Sequence, residues 1–245
     1  MKAKDWIIQM KLTHLKINNI PVTIWGEKSN KVYIAVHGNM SHKEDEVIKI
    51  LSSKVIPLGY QVLSFDLPEH GDRKDDVSYL CSVLNCVSDL ETIMEYAKSS
   101  FQEINLFACS MGAFFSLLSF KDEEIKNSIF LSPVVNMKII IENMMKISNV
   151  NYEKLKQEKI IKTNFGQDLN FDYYEYVKNH PIEKWNSSTK ILYGENDNLQ
   201  SENLIKEFSK KYNCELTIMK NGEHFFHTDD QLEFYKKWID KIIRD

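Results

Sequence analysis

The sequence predicts an α/β fold in which helices cover both faces of a mostly parallel sheet. Short, continuous apolar runs alternate with amphipathic helical patterns, as they do when strands are buried on both faces. Glycine is scarce, with 8 in all, and most glycines fall at the ends of predicted elements. A length of 245 residues suits one undivided α/β domain, so we predict a single domain over residues 1–245.

The predicted elements follow the chain in this order. Two strands come first, at about 11–18 and 20–26. Alternating units follow, with strands at 32–37, 60–66, 104–110 and 127–132 and helices at about 43–57, 76–99 and 111–120. After a gap, strands are predicted at 190–194 and 215–219, and helices at about 201–212 and from 229 onward. Apolar residues at three- and four-residue spacing give the last helix a face toward the core.

The segment at about 136–186 interrupts this alternation. Its pattern is helical over 137–145 and 152–161 and then becomes rich in aromatic residues, namely Phe165, Phe171, Tyr173, Tyr174 and Tyr176. An insertion of this length suggests a small helical cap over the carboxyl edge of the sheet, where α/β proteins bind ligands. The aromatic residues would also suit a small core within the insertion, and the two interpretations are compatible.

Composition and charge argue against several classes of function. The net charge is −4, and lysines are spread among acidic residues, so we expect no nucleic-acid partner. No segment approaches the roughly 18 apolar residues of a membrane helix, and the first residues lack the pattern of a secretory signal. We therefore expect a cytoplasmic protein without stable membrane insertion.

The cysteines indicate reduced thiols and no metal site. The spacing of the four cysteines gives no C-x-x-C pair and no disulfide framework; they are Cys81, Cys86, Cys109 and Cys214. Cys81 and Cys86 are spaced to lie on one helix, where we interpret them as packing residues. No cluster of residues has the spacing of metal ligands, so we expect none.

Ser110 is the candidate nucleophile. It lies between a short apolar run and a helical pattern, with Ala108 two residues before it and Gly112 two residues after. This is the G-x-S-x-G pattern with alanine in place of the first glycine, and it places a serine at a tight strand-to-helix turn. Small neighbours suit such a turn because the strand and helix backbones pass close together there.

A serine hydroxyl needs a base, and the base needs a carboxylate. His224 follows the last predicted strand, on a loop that contains Gly222, and His227 is the competing base. Asp197 follows the strand at 190–194, and Glu195 is the competing acid. Asp197 also suits a turn or the start of a helix. The chain order is then serine, aspartate, histidine.

Two backbone amides are candidates for an oxyanion hole. Gly38 ends the strand at 32–37 and allows the chain to bend, so that the N–H of Asn39 can point inward. The N–H of Met111, at the start of the helix after Ser110, would be the second donor. We interpret His37 as orienting this loop, and Asp66 and His70 as shaping the loop after the next strand.

These segments resemble the α/β-hydrolase family over essentially the whole chain. The resemblance rests on His37-Gly38, Asp66 to Gly71, Ala108 to Gly112, Gly194 to Asp197 and Gly222 to His224. It implies an eight-stranded, mostly parallel sheet, a Ser110–His224–Asp197 triad and a cap inserted after the sixth strand. Within the family, the chain is most similar to small bacterial esterases and to lysophospholipase-like and acyl-thioesterase-like hydrolases.

The chain departs from the family's pattern at two places, Ala108 and the oxyanion segment. The oxyanion segment lacks the H-G-G-G run of one lipase and esterase group. Haloalkane dehalogenases and epoxide hydrolases would have an aspartate at position 110, where this chain has serine. Alanine at position 108 also occurs in some bacterial lipases, so it hardly weakens the resemblance to the family.

We therefore predict a serine hydrolase that cleaves a carboxylic ester or thioester through an acyl-enzyme on Ser110 and needs no cofactor. A peptidase or amidase could use the same triad, because leaving-group preference depends on the pocket. A non-catalytic binding protein with this fold is the remaining alternative. We expect a small acyl compound as the partner. Several methionines suggest an apolar pocket for it, but methionine suits a protein core equally well; they are Met40, Met111, Met137, Met144 and Met145.

Overall fold

The computed structural model describes residues 10–164 and 166–244. The strands are β1 (Leu12–Ile17), β2 (Ile20–Trp25), β3 (Lys31–Val36), β4 (Gln61–Phe65), β5 (Glu103–Cys109), β6 (Asn127–Leu131), β7 (Ile160–Ile161), β8 (Leu169–Asn170), β9 (Ser188–Gly194) and β10 (Glu215–Met219). The α-helices are α1 (Glu46–Val55), α2 (Val83–Ser100), α3 (Met111–Ser119), α4 (Met137–Ile147), α5 (Tyr152–Glu158), α6 (Phe171–Asn179), α7 (Glu202–Lys211) and α8 (Asp229–Ile242). Phe165, one of the aromatic residues predicted to belong to the cap, lies outside the described residues.

Eight of the strands form one sheet in the order β1-β2-β4-β3-β5-β6-β9-β10. In this sheet β2 is antiparallel to both of its neighbours. The other adjacent pairs, from β4 across to β10 in the order given, are all parallel. The predicted eight-stranded, mostly parallel sheet is confirmed. The strand order reverses at β3, because the next strand, β4, pairs on one side of it and β5 pairs on the other. Ligands of open α/β sheets bind beyond the carboxyl ends of the strands at such a point.

Helices cover both faces of the sheet, as predicted. Val32, Ile34 and Val36 of β3 pack on one face in a core that includes residues of α2, α3 and α7. Tyr33 and Ala35, which alternate with them, pack on the other face with residues of α1 and α8. Because successive strand residues point to opposite faces, a strand between two helical layers is apolar throughout.

Helix α2 begins later than the sequence pattern predicted. The prediction placed the helix over 76–99, but it starts at Val83, after the cap residue Ser82, whose side chain accepts a hydrogen bond from the Asn85 N–H. The apolar residues before the cap do not face the core, since Val77 is 86% and Leu80 52% exposed. Cys81 therefore precedes the helix instead of lying on it with Cys86.

The insertion between β6 and β9 contains a short hairpin besides the expected helices. Helices α4 and α5 lie near the predicted helical stretches, but α5 ends at Glu158, and Lys159 has a φ of +67°. The chain then pairs Ile160 with Asn170 across the antiparallel β7–β8 hairpin. The Asn170 side chain accepts from the Tyr173 N–H and so caps α6. Among the described helices, none has a stretch long and apolar enough to cross a bilayer.

Candidate active site

Ser110 lies at the turn between β5 and α3. Its backbone has φ 50° and ψ −119°, a conformation that residues other than glycine rarely adopt. Three backbone hydrogen bonds fix this conformation: the Ser110 N–H donates to the Leu131 carbonyl, and its own carbonyl accepts from Ala113 and Val134, at 3.0–3.1 Å. The strained turn is therefore held from β6 as well as from α3.

The small residues around Ser110 are explained by close backbone contacts. A Cβ added to Gly112 would lie 2.4 Å from the carbonyl oxygen of His37 and 2.7 Å from that of Val36. A Cβ on Gly38 would lie 3.1 Å from the Cβ of Ser110. The end of β3 thus passes directly beside the start of α3, and only glycine at position 112 allows this approach.

His224 faces the Ser110 hydroxyl. The Oγ of Ser110 and the Nε2 of His224 are 2.7 Å apart, although the residues are separated by 114 positions. His224 lies on the loop after β10, which packs tightly on the end of β9. A Cβ on Gly194 would lie 2.4 Å from the Glu223 carbonyl oxygen. The imidazole side chain is 13% exposed.

Asp197 lies behind the imidazole. Its Oδ2 is 2.6 Å from the Nδ1 of His224, and its side chain is fully buried. Its other oxygen, Oδ1, accepts from the N–H groups of Leu199 and Gln200 at 2.8 and 3.1 Å. The turn role and the contact with histidine, weighed as alternatives from the sequence, are therefore both present, one for each oxygen.

The two competing residues lie elsewhere. The Nδ1 of His227 is 2.8 Å from the Phe225 carbonyl oxygen, and its side chain is 47% exposed and stacked on the Phe225 ring. Glu195 accepts from the N–H of Asn221 at 2.9 Å, which ties the loop after β9 to the turn after β10. The structure brings together Ser110, His224 and Asp197.

The two candidate oxyanion donors lie beside Ser110. Met111 is the first residue of α3, a position whose N–H has no partner within the helix. Asn39 follows Gly38, where an added Cβ would lie 3.1 Å from the Cβ of Ser110. Among the hydrogen bonds of the described residues, neither amide acts as a donor. Both N–H groups are thus available to an oxygen atom bound next to the serine.

His37 fixes the Asn39 segment from within the core. Its Nε2 accepts from the Leu67 N–H at 3.0 Å, so its Nδ1 carries the proton and donates to the Gly38 carbonyl at 2.7 Å. Burial lowers the pKa of His37 to about 4. The ring is therefore neutral near pH 7 and serves as a bridge between two loops.

His70 supports the same segment from the cleft. Its Nε2 is 3.1 Å from the Oδ1 of Asn39, and its Nδ1 is 2.8 Å from the Pro68 carbonyl oxygen. Burial by itself would lower the pKa of His70, but the Cys81 thiol and the Pro68 carbonyl outweigh it, and the pKa is raised. Both ring nitrogens thus face hydrogen-bond acceptors.

Sequence reasoning missed Lys43 and Gln200. The Nζ of Lys43 is 2.7 Å from the buried Asp66 carboxylate and joins the loops after β3 and β4. Gln200 is also buried; its Oε1 accepts from the N–H groups of Val135 and Asn136 at 3.0 and 2.9 Å and links the Asp197 loop to the start of the insertion. An aspartate directly after a buried strand indicates a nearby cation, but nothing in the sequence identifies Lys43.

A cleft of about 880 Å³ opens beside Asn39 and Met111. Helices α4 and α6 of the insertion form one wall, and the loop before α2 forms another. Apolar residues dominate the α4 wall, where Met137, Ile140, Ile141 and Met144 lie. Met40 also lines the cleft and is 92% exposed, whereas Met145 is buried in the core and does not line it. Among the described residues, no group of three histidine, cysteine or acidic side chains could hold a metal ion.

Sequence comparisons find no relative: no protein-family model and no curated protein matches the chain. Solved structures do match. Est1E from Butyrivibrio proteoclasticus, solved with ferulic acid bound, is 18% identical with a TM-score of 0.75, over 95% of this chain and 98% of that one. The Pyrococcus furiosus esterase Pf2001 is 19% identical with a TM-score of 0.67, over 100% and 93%. The thioesterase domain from the curacin biosynthetic pathway is 14% identical with a TM-score of 0.61, over 96% and 99%. These likenesses and the strand order show that the chain has the α/β-hydrolase fold.

Proposed function

We propose that this α/β-hydrolase-fold protein is a serine hydrolase that cleaves a carboxylic ester or thioester through an acyl-enzyme on Ser110. The observation that supports this most is the continuous chain of hydrogen bonds from the Ser110 Oγ through His224 to Asp197, at 2.7 and 2.6 Å. A serine, an imidazole and a buried carboxylate in this order make a hydroxyl nucleophilic. Esterases and a thioesterase among the structures of similar fold agree with this chemistry.

In the first half of the reaction, the Nε2 of His224 takes the hydroxyl proton while the Oγ of Ser110 attacks the acyl carbon. Asp197 holds the Nδ1–H of the ring and stabilises the imidazolium that forms. The N–H groups of Asn39 and Met111 stabilise the tetrahedral oxyanion, and loss of one such donor typically costs about 3 kcal/mol. His224 then gives its proton to the departing alkoxide or thiolate.

In the second half, a water molecule replaces the leaving group. His224 takes a proton from this water, which attacks the acyl carbon of the ester on Ser110. The same two amides stabilise the second tetrahedral intermediate. Its collapse releases the carboxylic acid and returns the proton to Ser110. The chain's own side chains and amides are sufficient for every step.

We propose further that the chain is one domain in which the segment at about 136–186 is a cap that binds the acyl group. The cleft runs from Met111 along the apolar face of α4, and Tyr173 and Tyr176 of α6 also line it. An apolar acyl chain would bury these side chains, with a gain of about 0.8 kcal/mol for each CH₂. Ferulic acid in Est1E shows that a structure of this fold can hold an aromatic acid.

A series of p-nitrophenyl acyl esters tests this function. We expect hydrolysis that improves with acyl length until the cleft is full, and loss of nearly all of it in Ser110→Ala, since triad members act as a unit worth on the order of 10⁶ in turnover. Ser119→Ala, on the same helix but away from the site, is the matched control and keeps its activity. Normal hydrolysis by Ser110→Ala would refute the proposal.

A further inference from the structure

Two cysteines lie side by side in the wall of the cleft, outside the Ser110–His224–Asp197 chain. The sulfur atoms of Cys81 and Cys86 are 3.5 Å apart. Cys81 is partly exposed and lines the cleft, whereas Cys86 is fully buried behind it. Cys81 directly precedes the cap residue Ser82, and Cys86 lies near the start of the 18-residue α2. The first turn of α2, with Ser82 as its N-cap, thus holds the two thiols next to each other.

Cys81 also contacts the loop after β4. Its backbone N–H donates to the Glu69 carboxylate at 2.6 Å, and its thiol is near enough to His70 for each group to shift the pKa of the other. The contact with Cys86, followed by that with His70, outweighs burial and lowers the pKa of Cys81 to about 6. The positive end of the α2 dipole favours the same thiolate. Cys81 is therefore the nucleophilic thiol of the pair.

The remaining cysteines differ from Cys81. Burial raises the pKa of Cys109 to about 12 and that of Cys214 to about 11. Burial also raises the pKa of Cys86, which makes it the thiol that reacts second.

Other charged or titratable groups surround the pair. Tyr173 of α6 interacts with both thiols. The negative charge of Asp89 raises the pKa of Cys86, and the positive charge of Arg73 lowers it. Of these groups, Arg73 is the one that favours a Cys86 thiolate, which the second step of a disulfide exchange requires.

We propose that Cys81 and Cys86 are a thiol modification site, at which a small disulfide such as glutathione disulfide produces a Cys81–Cys86 disulfide. First, the Cys81 thiolate attacks one sulfur of the small disulfide, breaks its S–S bond and releases one glutathione thiolate. Cys86 then gives its proton to that thiolate, and its sulfur attacks Cys81 and expels the second glutathione thiolate. Two protein thiols are oxidised, and one small disulfide is reduced to two glutathione molecules.

The modification reaches the oxyanion segment through His70, and this part rests on the proposed function. The two ring nitrogens of His70 face the oxygens of Pro68 and Asn39, and only a protonated ring donates to both. The Cys81 thiolate favours that charged ring, whereas a disulfide carries no charge. Oxidation therefore leaves one of the two oxygens without its donor and loosens Asn39. We expect ester hydrolysis to slow about five- to tenfold.

The test treats the reduced protein with glutathione disulfide, maps its disulfides by peptide mass spectrometry and follows hydrolysis of a p-nitrophenyl ester. The wild type and the matched control Cys214→Ser should form the Cys81–Cys86 link, slow about five- to tenfold and recover in dithiothreitol. Cys86→Ser should stop at a mixed disulfide on Cys81. Cys81→Ser should leave Cys86 unreacted and keep its own rate unchanged by the oxidant.

Absence of the Cys81–Cys86 link overturns the modification site, and a link that leaves the rate unchanged overturns the coupling to Asn39. An equal loss of rate in Cys81→Ser also overturns that coupling, because the loss would then not depend on the link. Labelling of the reduced wild type with a fluorophosphonate separates this proposal from the proposed function. A protein that forms the link but is neither labelled nor able to hydrolyse esters contradicts the hydrolase and leaves the thiol site supported.

Discussion

Asp197 binds His224 with only one of its carboxylate oxygens, the Oδ2 at 2.6 Å from the ring Nδ1. The other oxygen accepts from the N–H groups of Leu199 and Gln200 and forms the turn after β9. The carboxylate that contacts the imidazole is thus itself held by nearby backbone N–H groups, in the loop after β9, the strand next to the edge strand β10. Mutation can test these two contacts of the carboxylate separately, the one with His224 and the one with the turn.

Asp197→Asn should remove activity while preserving the fold. An amide keeps an oxygen for the turn, but it cannot hold the imidazole in the required tautomer, so we expect turnover to fall about 10³- to 10⁴-fold. Urea unfolding should change little in this variant. Asp197→Ala loses the turn as well, at a further cost of about 1 kcal/mol of unfolding free energy. Glu195→Gln is the matched control, and a large loss of turnover there would favour the other carboxylate.

The two histidines of the last loop should differ sharply. His224→Ala removes the group that faces Ser110 and should reduce turnover by on the order of 10⁶. His227→Ala removes an exposed ring stacked on Phe225 and should leave turnover within about twofold. Steady-state kinetics on one p-nitrophenyl ester measure both variants. A reversed result would assign the base to His227.

Burial of His37 predicts that the folded protein loses stability in weak acid. The pKa of the ring is lowered from 6.5 to about 4 by burial, so below pH 6.5 the unfolded chain binds the proton more readily. The stabilisation is complete above that pH and is lost as the pH falls toward 4. Between about pH 7 and about pH 5 the loss amounts to about 2 kcal/mol of unfolding free energy.

His37→Gln measures this contribution, because glutamine can donate to Gly38 and accept from Leu67 without titrating. Urea unfolding of both proteins near the two pH values gives the difference directly. The wild type should lose about 2 kcal/mol more than the variant. Equal losses would show that the ring does not resist protonation in the fold.

The sheet could be predicted from the sequence because strands buried on both faces are continuously apolar, as in β3 and β5. Ser110 could be located because a tight strand-to-helix turn requires small neighbours. The start of α2 could not be located, since the exposed Val77 and Leu80 continue an apolar pattern that faces no core. The pairs Lys43–Asp66 and Cys81–Cys86 also escaped prediction. Lys43, Asp66 and Cys81 all lie in loops, and the paths of these loops depend on the folded chain.

The central claim is that Ser110 is a nucleophile activated by His224. Fluorophosphonate labelling, followed by peptide mass spectrometry, tests it most directly because the probe bonds only to an activated hydroxyl. The account predicts one labelled residue, Ser110, with no label in Ser110→Ala or His224→Ala and normal labelling in His227→Ala. Label on another serine, or none on correctly folded wild-type protein, would contradict it.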